Sequence, residues 1–131
     1  MRDNVQCAVK GSFRFKREER LKGKGTIKDV FGKGRRFHSK GLAGCRGAKL
    51  FVLKNGLPHN RICFTFTRGF AGAVERNRAK RLGREAYRNL KSRIKCGYDL
   101  ILLVYPDNPD TTYAGRAGQL EHLLSRAGLM Q

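Results

Sequence analysis

Acidic residues are scarce in this chain of 131 residues: ten aspartates and glutamates stand against 29 lysines and arginines. The formal net charge is therefore +19 at pH 7 with histidine neutral. So large an excess of one sign predicts an acidic partner, with nucleic acid as the first choice and an anionic membrane as the second. The same scarcity leaves few carboxylates from which a nuclease active site could be built.

Long apolar stretches are also missing. No apolar run approaches the ~20 residues that a helix needs to span a bilayer. The N-terminal sequence has neither the apolar core nor the small-residue cleavage site of a signal peptide. We therefore expect a cytoplasmic protein with no membrane partner. The length suits a single domain with a real hydrophobic core.

Cysteines and histidines are few and are not spaced for metal binding. The four cysteines are Cys7, Cys45, Cys63 and Cys96. They form no C-x-x-C pair, so we predict free thiols and no metal ligands. The three histidines lie in unrelated segments and are His38, His59 and His122. Because the acids are scattered as well, we predict no catalytic residue in this chain.

The chain does contain one long helix-forming stretch, Ala73 to Arg93, with the sequence AVERNRAKRLGREAYRNLKSR. It has no proline and one glycine. At roughly 100° per residue, one arc of this helix is an apolar stripe. Its members are Ala79, Leu82, Ala86, Leu90 and Ile94. The adjoining arc, which we call the ridge, consists of Arg76, Asn77, Lys80, Arg81, Arg84, Arg88 and Lys91.

The cations of the ridge have few acidic neighbours along the helix. Glu75 and Glu85 are the only acids in the stretch, so i,i+4 pairs do not neutralise the ridge. Such a row of charges repels itself, and a bound polyanion would relieve the repulsion. The alternative interpretation is an ordinary solvated helix face without a partner.

The segment 73–88, AVERNRAKRLGREAYR, resembles the RNR signature of the bacterial ribonuclease P protein family. That signature reads A-V-x-R-N-R-x-K-R, followed by R, E or Q, A, and F or Y. The segment that leads into the helix, 68–72, departs from the family's usual Lys-Lys-x-Gly-Asn. The resemblance runs from about Arg20 to the end, so we expect a basic N-terminal arm at 1–19 and one domain at 20–131. An insertion around Gly41–Gly47 also lies outside it.

The resemblance implies a function: the protein subunit of ribonuclease P, which removes the 5′ leader from precursor tRNA. It assigns the hydrolytic chemistry to a catalytic RNA subunit using magnesium, held mainly by that RNA and the substrate. The implied partners are the catalytic RNA and precursor tRNA, with no stable protein partner. Carried over by position, the RNA-contacting residues are Arg76, Asn77, Arg78, Lys80, Arg81, Arg84 and Arg88. Each contacts the catalytic RNA or the leader, and Phe31 with Ile27 would line a leader cleft.

Local patterns predict a small α+β two-layer sandwich with a sheet of about four strands. Thr26 is the expected cap of the first helix, which ends at Gly32 or Gly34. The Asn55-Gly56 pair predicts a hairpin that joins strands at 48–54 and 61–67. In the second of these strands Phe64 and Phe66 either fill the core beneath a helix, which we expect, or add to an aromatic surface.

The remaining elements follow from residues 98–131. The nearly continuous apolar run at 98–105 predicts a central strand buried on both faces. Thr111 or Thr112 is expected to cap a last helix that runs to about Ala127, with its leucines on the sheet. The resemblance adds a left-handed crossover around the long helix, against the usual right-handed rule.

Two alternatives from other classes of protein stay open at this level. One is a structural or ribosomal RNA-binding protein, whose cations would spread over many surfaces. The other is a DNA-binding regulator, which calls for two helices joined by a short turn. The long helix here is followed by a strand, which does not fit that second class.

Overall fold

Three helices and a four-stranded sheet make up the part of the chain that the computed structural model describes, residues 17–42, 45–67, 72–106 and 111–131. The helices are α1, Lys24–Lys33; α2, Ala73–Leu90; and α3, Tyr113–Arg126. The strands are β1, Arg35–Leu42; β2, Cys45–Lys54; β3, Arg61–Phe66; and β4, Tyr98–Val104. Short 3₁₀ turns occupy Arg17–Glu19 and Lys91–Arg93. The predicted α+β class is confirmed.

The sheet has the strand order β1-β2-β4-β3. β2 is antiparallel to both β1 and β4, whereas β3 runs parallel to β4. The predicted hairpin between β2 and β3 is therefore wrong, because β4 lies between them. β4 is apolar on both faces, and it is covered by the main core on one face and by α1 on the other.

The turn after β2 still forms where the sequence placed it. Gly56 has a φ of 71°, and Asn55 Oδ1 accepts a hydrogen bond from the Leu57 backbone at 2.7 Å. Asn55 Nδ2 also donates to Asp99 Oδ1 at 2.9 Å, which ties the turn to the start of β4. The turn therefore leads the chain past β4 to the far edge of the sheet.

The main hydrophobic core lies between one sheet face and the helices α2 and α3. It contains strand residues such as Leu50, Leu100 and Leu102 and the buried α3 leucines at 120, 123 and 124. Phe64 and Phe66 pack against this core, as predicted. β4 is buried and central, which confirms its prediction as well.

The opposite sheet face is only partly covered. α1 packs there on β2 and β4, and a second, smaller core contains Leu21, Val30, Phe51 and Ile101. Leu103, farther along β4, is only half-buried. The structure thus adds a helix on the second face of the predicted two-layer sandwich and leaves part of that face accessible.

The helix ends match the predictions unevenly. Thr112 caps α3, and its hydroxyl accepts a hydrogen bond from the Gly115 backbone at 3.0 Å. Thr26 does not cap α1, because the helix already begins at Lys24 with Gly23 as its cap. Gly23 has a φ of 96°, a left-handed conformation that glycine adopts without strain.

The structure also tests the prediction about the cysteines. Cys96 is disulfide-bonded, so the prediction of free thiols is wrong there, while Cys63 is a free thiol. Cysteine spacing along the chain did not reveal this pairing.

β3, α2 and β4 form a parallel crossover, whose left-handed sense stays a prediction. None of the described helices is long and apolar enough to cross a bilayer.

The predicted N-terminal arm falls mostly outside the described residues. Its last three residues, Arg17–Glu19, form a 3₁₀ turn on the domain, and Glu19 is buried. The segment that leads into α2, at 68–71, and the turn at 107–110 also lie outside the described residues.

Candidate nucleic-acid interface

Small residues hold α2 close to the sheet. Ala79, Gly83 and Ala86 are buried on its inner side. A Cβ atom at Gly83 would lie only 2.7 Å from Cδ1 of Phe64 on β3, so the two elements are in direct contact there. Because this side is packed so closely, the long charged side chains of α2 must project elsewhere.

The apolar stripe was predicted nearly correctly. Ala79, Ala86, Leu90 and Ile94 are buried, whereas Leu82 is only half-buried. The stripe also includes Gly83 and Tyr87, which are not among its predicted members. The helix itself ends at Leu90, where a 3₁₀ turn takes over.

The ridge residues differ in how far they reach solvent. Arg76, Asn77 and Arg81 are exposed, whereas Lys80 and Arg84 are half-buried. Among the described residues, no carboxylate lies within ion-pair distance of Arg76, Lys80 or Arg81. The unneutralised row of charge that the sequence predicted is therefore present over these three positions.

Arg78 and Arg88 also make contacts within the fold. Arg78 Nη2 donates a hydrogen bond to the Thr111 carbonyl, 2.6 Å away, just before α3. Arg88 Nη1 lies 3.3 Å from Glu85 Oε1 in a partly exposed ion pair. Arg78 therefore ties α2 to the segment before α3, whereas the Arg88 pair lies within α2 and joins two of its own turns.

A cavity of about 210 Å³ lies between α2, β3 and the segment that precedes α1. Four of its lining residues are cations, Arg20, Lys22, Lys80 and Arg84. Burial, and then the positive charge of Arg20, lower the pKa of Arg84. An anion entering this cavity would meet four positive side chains from two separate parts of the chain.

Arg20 and Lys22 were not among the predicted site residues. Their segment joins the sheet edge through Leu21, whose backbone N–H donates to the Ile62 carbonyl at 3.0 Å. Leu21 is buried between two exposed cations, which is the alternation of an extended strand. That alternation, read together with the basic charge, was the signal in the sequence that could have identified them.

A buried ion pair holds this segment in place. Lys91 Nζ lies 3.1 Å from both carboxylate oxygens of Glu19, and both side chains are almost fully buried. The prediction that Lys91 belongs to the exposed ridge is therefore wrong. Tyr87 is buried beside this pair, and burial followed by the Glu19 charge raises its pKa.

The two predicted cleft residues lie together on α1. Phe31 keeps 40% of its surface exposed, and its ring meets that of Phe51 edge-on, with centroids 4.8 Å apart. Ile27 is half-buried and packs against the second core behind them. The structure therefore provides an apolar wall with an accessible aromatic ring beside the uncovered sheet face.

Polar groups elsewhere have structural partners. Asp99 is buried and bound by Arg61 through two hydrogen bonds of 2.8 and 2.7 Å. His59 Nε2 lies 3.0 Å from the Glu18 carbonyl oxygen. Burial raises the pKa of the Cys63 thiol at the cavity, although Lys80 opposes the shift. Across the described ranges, no three His, Cys, Asp or Glu side chains are grouped so as to hold a metal ion.

The sequence of this chain is similar to those of known proteins. A family model described as Ribonuclease P matches residues 15–128. The ribonuclease P protein component of Alkaliphilus metalliredigens (strain QYMF) is 31% identical over 111 residues, covering 85% of this chain and 95% of the relative. That of Borrelia hermsii (strain HS1 / DAH) is 36% identical over 94 residues, covering 71% of this chain and 77% of the relative.

Solved structures show the same fold. The RNase P protein of Staphylococcus aureus, solved at 2.0 Å, superimposes with a TM-score of 0.73 at 24% identity, covering 86% of this chain and 98% of that one. The RNase P protein of Thermotoga maritima gives a TM-score of 0.68 at 23% identity, with 82% and 96% covered. At these identities the likeness establishes the architecture alone.

Proposed function

The chain belongs to the ribonuclease P protein family, and from that membership we propose how its surfaces serve the enzyme. Members of the family are the protein component of ribonuclease P, which acts in tRNA 5′ processing. We propose that this chain binds the catalytic RNA subunit and grips the 5′ leader of precursor tRNA. Hydrolysis of the phosphodiester bond is assigned to the RNA subunit with magnesium, while the chain supplies affinity and positioning.

The observation that carries this proposal is the convergence of cations on the cavity beside α2. Arg20 and Lys22 approach it from one side, and Lys80 and Arg84 from the other. An RNA backbone offers phosphates that match this charge, and each neutralised phosphate releases counterions and so favours binding. Arginine also suits phosphates because its guanidinium can donate two parallel hydrogen bonds.

Under this proposal, the predicted RNA-contacting residues of α2 have two roles. Five of them reach solvent or the cavity and contact RNA directly: Arg76, Asn77, Lys80, Arg81 and Arg84. Arg78 contributes mainly by holding α2 to the segment before α3, and Arg88, which pairs with Glu85 on the same helix, contributes mainly by its charge.

The leader is assigned to the face beside α1. Phe31 exposes an aromatic ring on which a base can stack, and Ile27 supports the wall behind it. Stacking of a base on an aromatic side chain contributes about 1–3 kcal/mol and tolerates any base. Such tolerance suits leaders, whose sequences differ from one precursor to the next.

Magnesium and compartment complete the proposal. Half of the eight residues that line the cavity are cations and would repel a divalent cation, so we assign the magnesium ligands mainly to the RNA subunit and substrate. We place the complex in the cytoplasm, with the catalytic RNA and precursor tRNA as its partners and no stable protein partner.

Reconstitution tests the proposal directly. The purified chain is mixed with its cognate catalytic RNA and a precursor tRNA, and leader removal is measured at low and high magnesium. We expect cleavage at low magnesium to depend on the chain. Replacing Arg76 and Lys80 with alanine should weaken binding and low-magnesium cleavage, while high magnesium restores the rate.

A matched variant controls for charge. Lys54→Ala/Arg93→Ala also removes one lysine and one arginine, neither of which lines the cavity or belongs to the ridge. The plot of log affinity against log salt should become shallower by about 0.7–0.9 for each lost phosphate contact in Arg76→Ala/Lys80→Ala. If that variant assembles and cleaves like wild type at low magnesium, the assignment of α2 is wrong.

A further inference from the structure

Strand β1 carries a row of basic side chains on the uncovered face of the sheet. Arg36, His38 and Lys40 alternate with Phe37 and Ser39, and all three are exposed. Phe37 packs against the main core and Ser39 is buried, so these two point to the α3 side. The three basic residues therefore share the opposite face, the one on which α1 lies.

The row is a direct continuation of the aromatic wall on α1. The strand register places Arg36 opposite Phe51, the residue whose ring meets Phe31. It then places His38 opposite Lys49, which adds another cation to the same face. A strand of RNA leaving Phe31 across the sheet would therefore meet these side chains next.

A second ring contact lies farther along the row and involves His38 itself. The ring centroids of His38 and Tyr105 are 6.1 Å apart. Tyr105 lies directly over Gly47, where a Cβ atom would come within 3.1 Å of its ring. Aromatic rings thus lie beside Arg36 at one end of the row and at His38 farther along, as in surfaces that bind single strands by backbone charge and base stacking.

Charge and spacing both favour an extended single strand. Across the described ranges, no carboxylate lies within ion-pair distance of Arg36, Lys40 or Lys49. Alternate residues of a strand are separated by about 6.5–7 Å, which is comparable to the distance between successive phosphates in an extended strand. β1 is also an edge strand, so nothing in the described sheet flanks its outer side.

We propose that Arg36, His38 and Lys40, with Lys49, form an extension of the leader site that holds the nucleotides lying beyond the Phe31 wall. This inference rests on the proposed function and adds to it a surface that responds to leader length. Short leaders would reach only the wall, and longer ones would gain contacts to β1.

The test uses the holoenzyme and a set of precursor tRNAs that differ only in leader length. For the wild-type chain, affinity should rise as the leader is extended past the wall. Arg36→Ala/Lys40→Ala should lose that gain, binding the long-leader substrate about tenfold more weakly and the short-leader substrate normally. Lys54→Ala/Arg93→Ala removes the same charges elsewhere and should keep the gain.

Phe31→Ala distinguishes failure of this inference from failure of the proposed function. It should weaken binding of short and long leaders alike. If it does so while Arg36→Ala/Lys40→Ala binds every leader like wild type, the β1 extension is refuted and the leader site on α1 stands. Equal weakening of all substrates by the β1 variant would also refute the extension. If the wild-type holoenzyme ignores the leader altogether, both proposals fail.

Discussion

The buried ion pair between Glu19 and Lys91 is the feature whose removal should change stability most. Lys91 Nζ lies 3.1 Å from each carboxylate oxygen, and the two side chains are 3% and 4% exposed. Removing one partner of such a pair leaves the other charge buried without its counterion, which typically costs about 3–5 kcal/mol. A domain of this size is stabilised by about 5–15 kcal/mol in total, so Glu19→Leu or Lys91→Met alone should remove a large share.

Removing both charges together should cost much less. When a buried pair is replaced by apolar residues of similar volume, the change is often neutral or even stabilising, because neither charge has to be desolvated. We therefore expect the free energy of unfolding of Glu19→Leu/Lys91→Met to lie within about 1–2 kcal/mol of the wild-type value. The coupling energy from the four-member cycle should then amount to several kcal/mol.

Urea denaturation followed by circular dichroism measures these free energies of unfolding. Arg93→Ala is the control, because it removes a half-exposed ion pair with Glu121 that lies 3.6 Å apart and should cost less than about 1 kcal/mol. If the single variants at Glu19 and Lys91 cost no more than this control, the pair is solvated in solution. Lys91 would then belong to the exposed ridge, as its sequence position suggested.

Two further predictions concern α2 and its surroundings. Gly83→Ala should destabilise the fold despite a gain of about 1 kcal/mol in helix propensity, because the new Cβ atom would collide with Phe64 at 2.7 Å. In urea denaturation, adding Phe64→Leu should recover part of the lost free energy of unfolding. The absence of any recovery would contradict this packing. The second concerns pH. Because burial raises the pKa of Tyr87, the unfolded chain releases that proton first, so the free energy of unfolding should fall as pH rises past the ordinary value of 10.0. Tyr87→Phe should flatten this decline, and an unchanged slope would contradict the burial argument.

The sequence predicted best those features that depend on local periodicity. The stripe and ridge of α2 follow from the spacing of its own residues, and the burial of β4 follows from its continuous apolar run. The cap at Thr112 is equally local, since it involves a residue only three positions away. In each case the residues that decide the outcome are neighbours in the chain.

The errors at Lys91 and at the predicted hairpin involve partners that are distant in the chain. Lys91 lies on the same arc as the other ridge residues, but Glu19, 72 residues away, gives its charge a buried partner. The helix also changes to a 3₁₀ turn at this residue, which alters the direction of the side chain. The hairpin failed for a similar reason, because β4 took the place between β2 and β3 that a local turn signal cannot anticipate.

The geometry of the cavity depends both on the local spacing of residues in α2 and on contacts between distant parts of the chain. The cations of α2 can be recognised from their own spacing, but their distance from Arg20 and Lys22 is set by how closely α2 approaches β3. That approach requires a residue without a side chain at Gly83, where Phe64 occupies the space that a Cβ atom would need. A bulkier residue there would push α2 outward and separate Lys80 and Arg84 from their counterparts across the cavity. The apolar side of the helix therefore determines the geometry of its charged side, and a substitution that never touches RNA should still alter RNA binding.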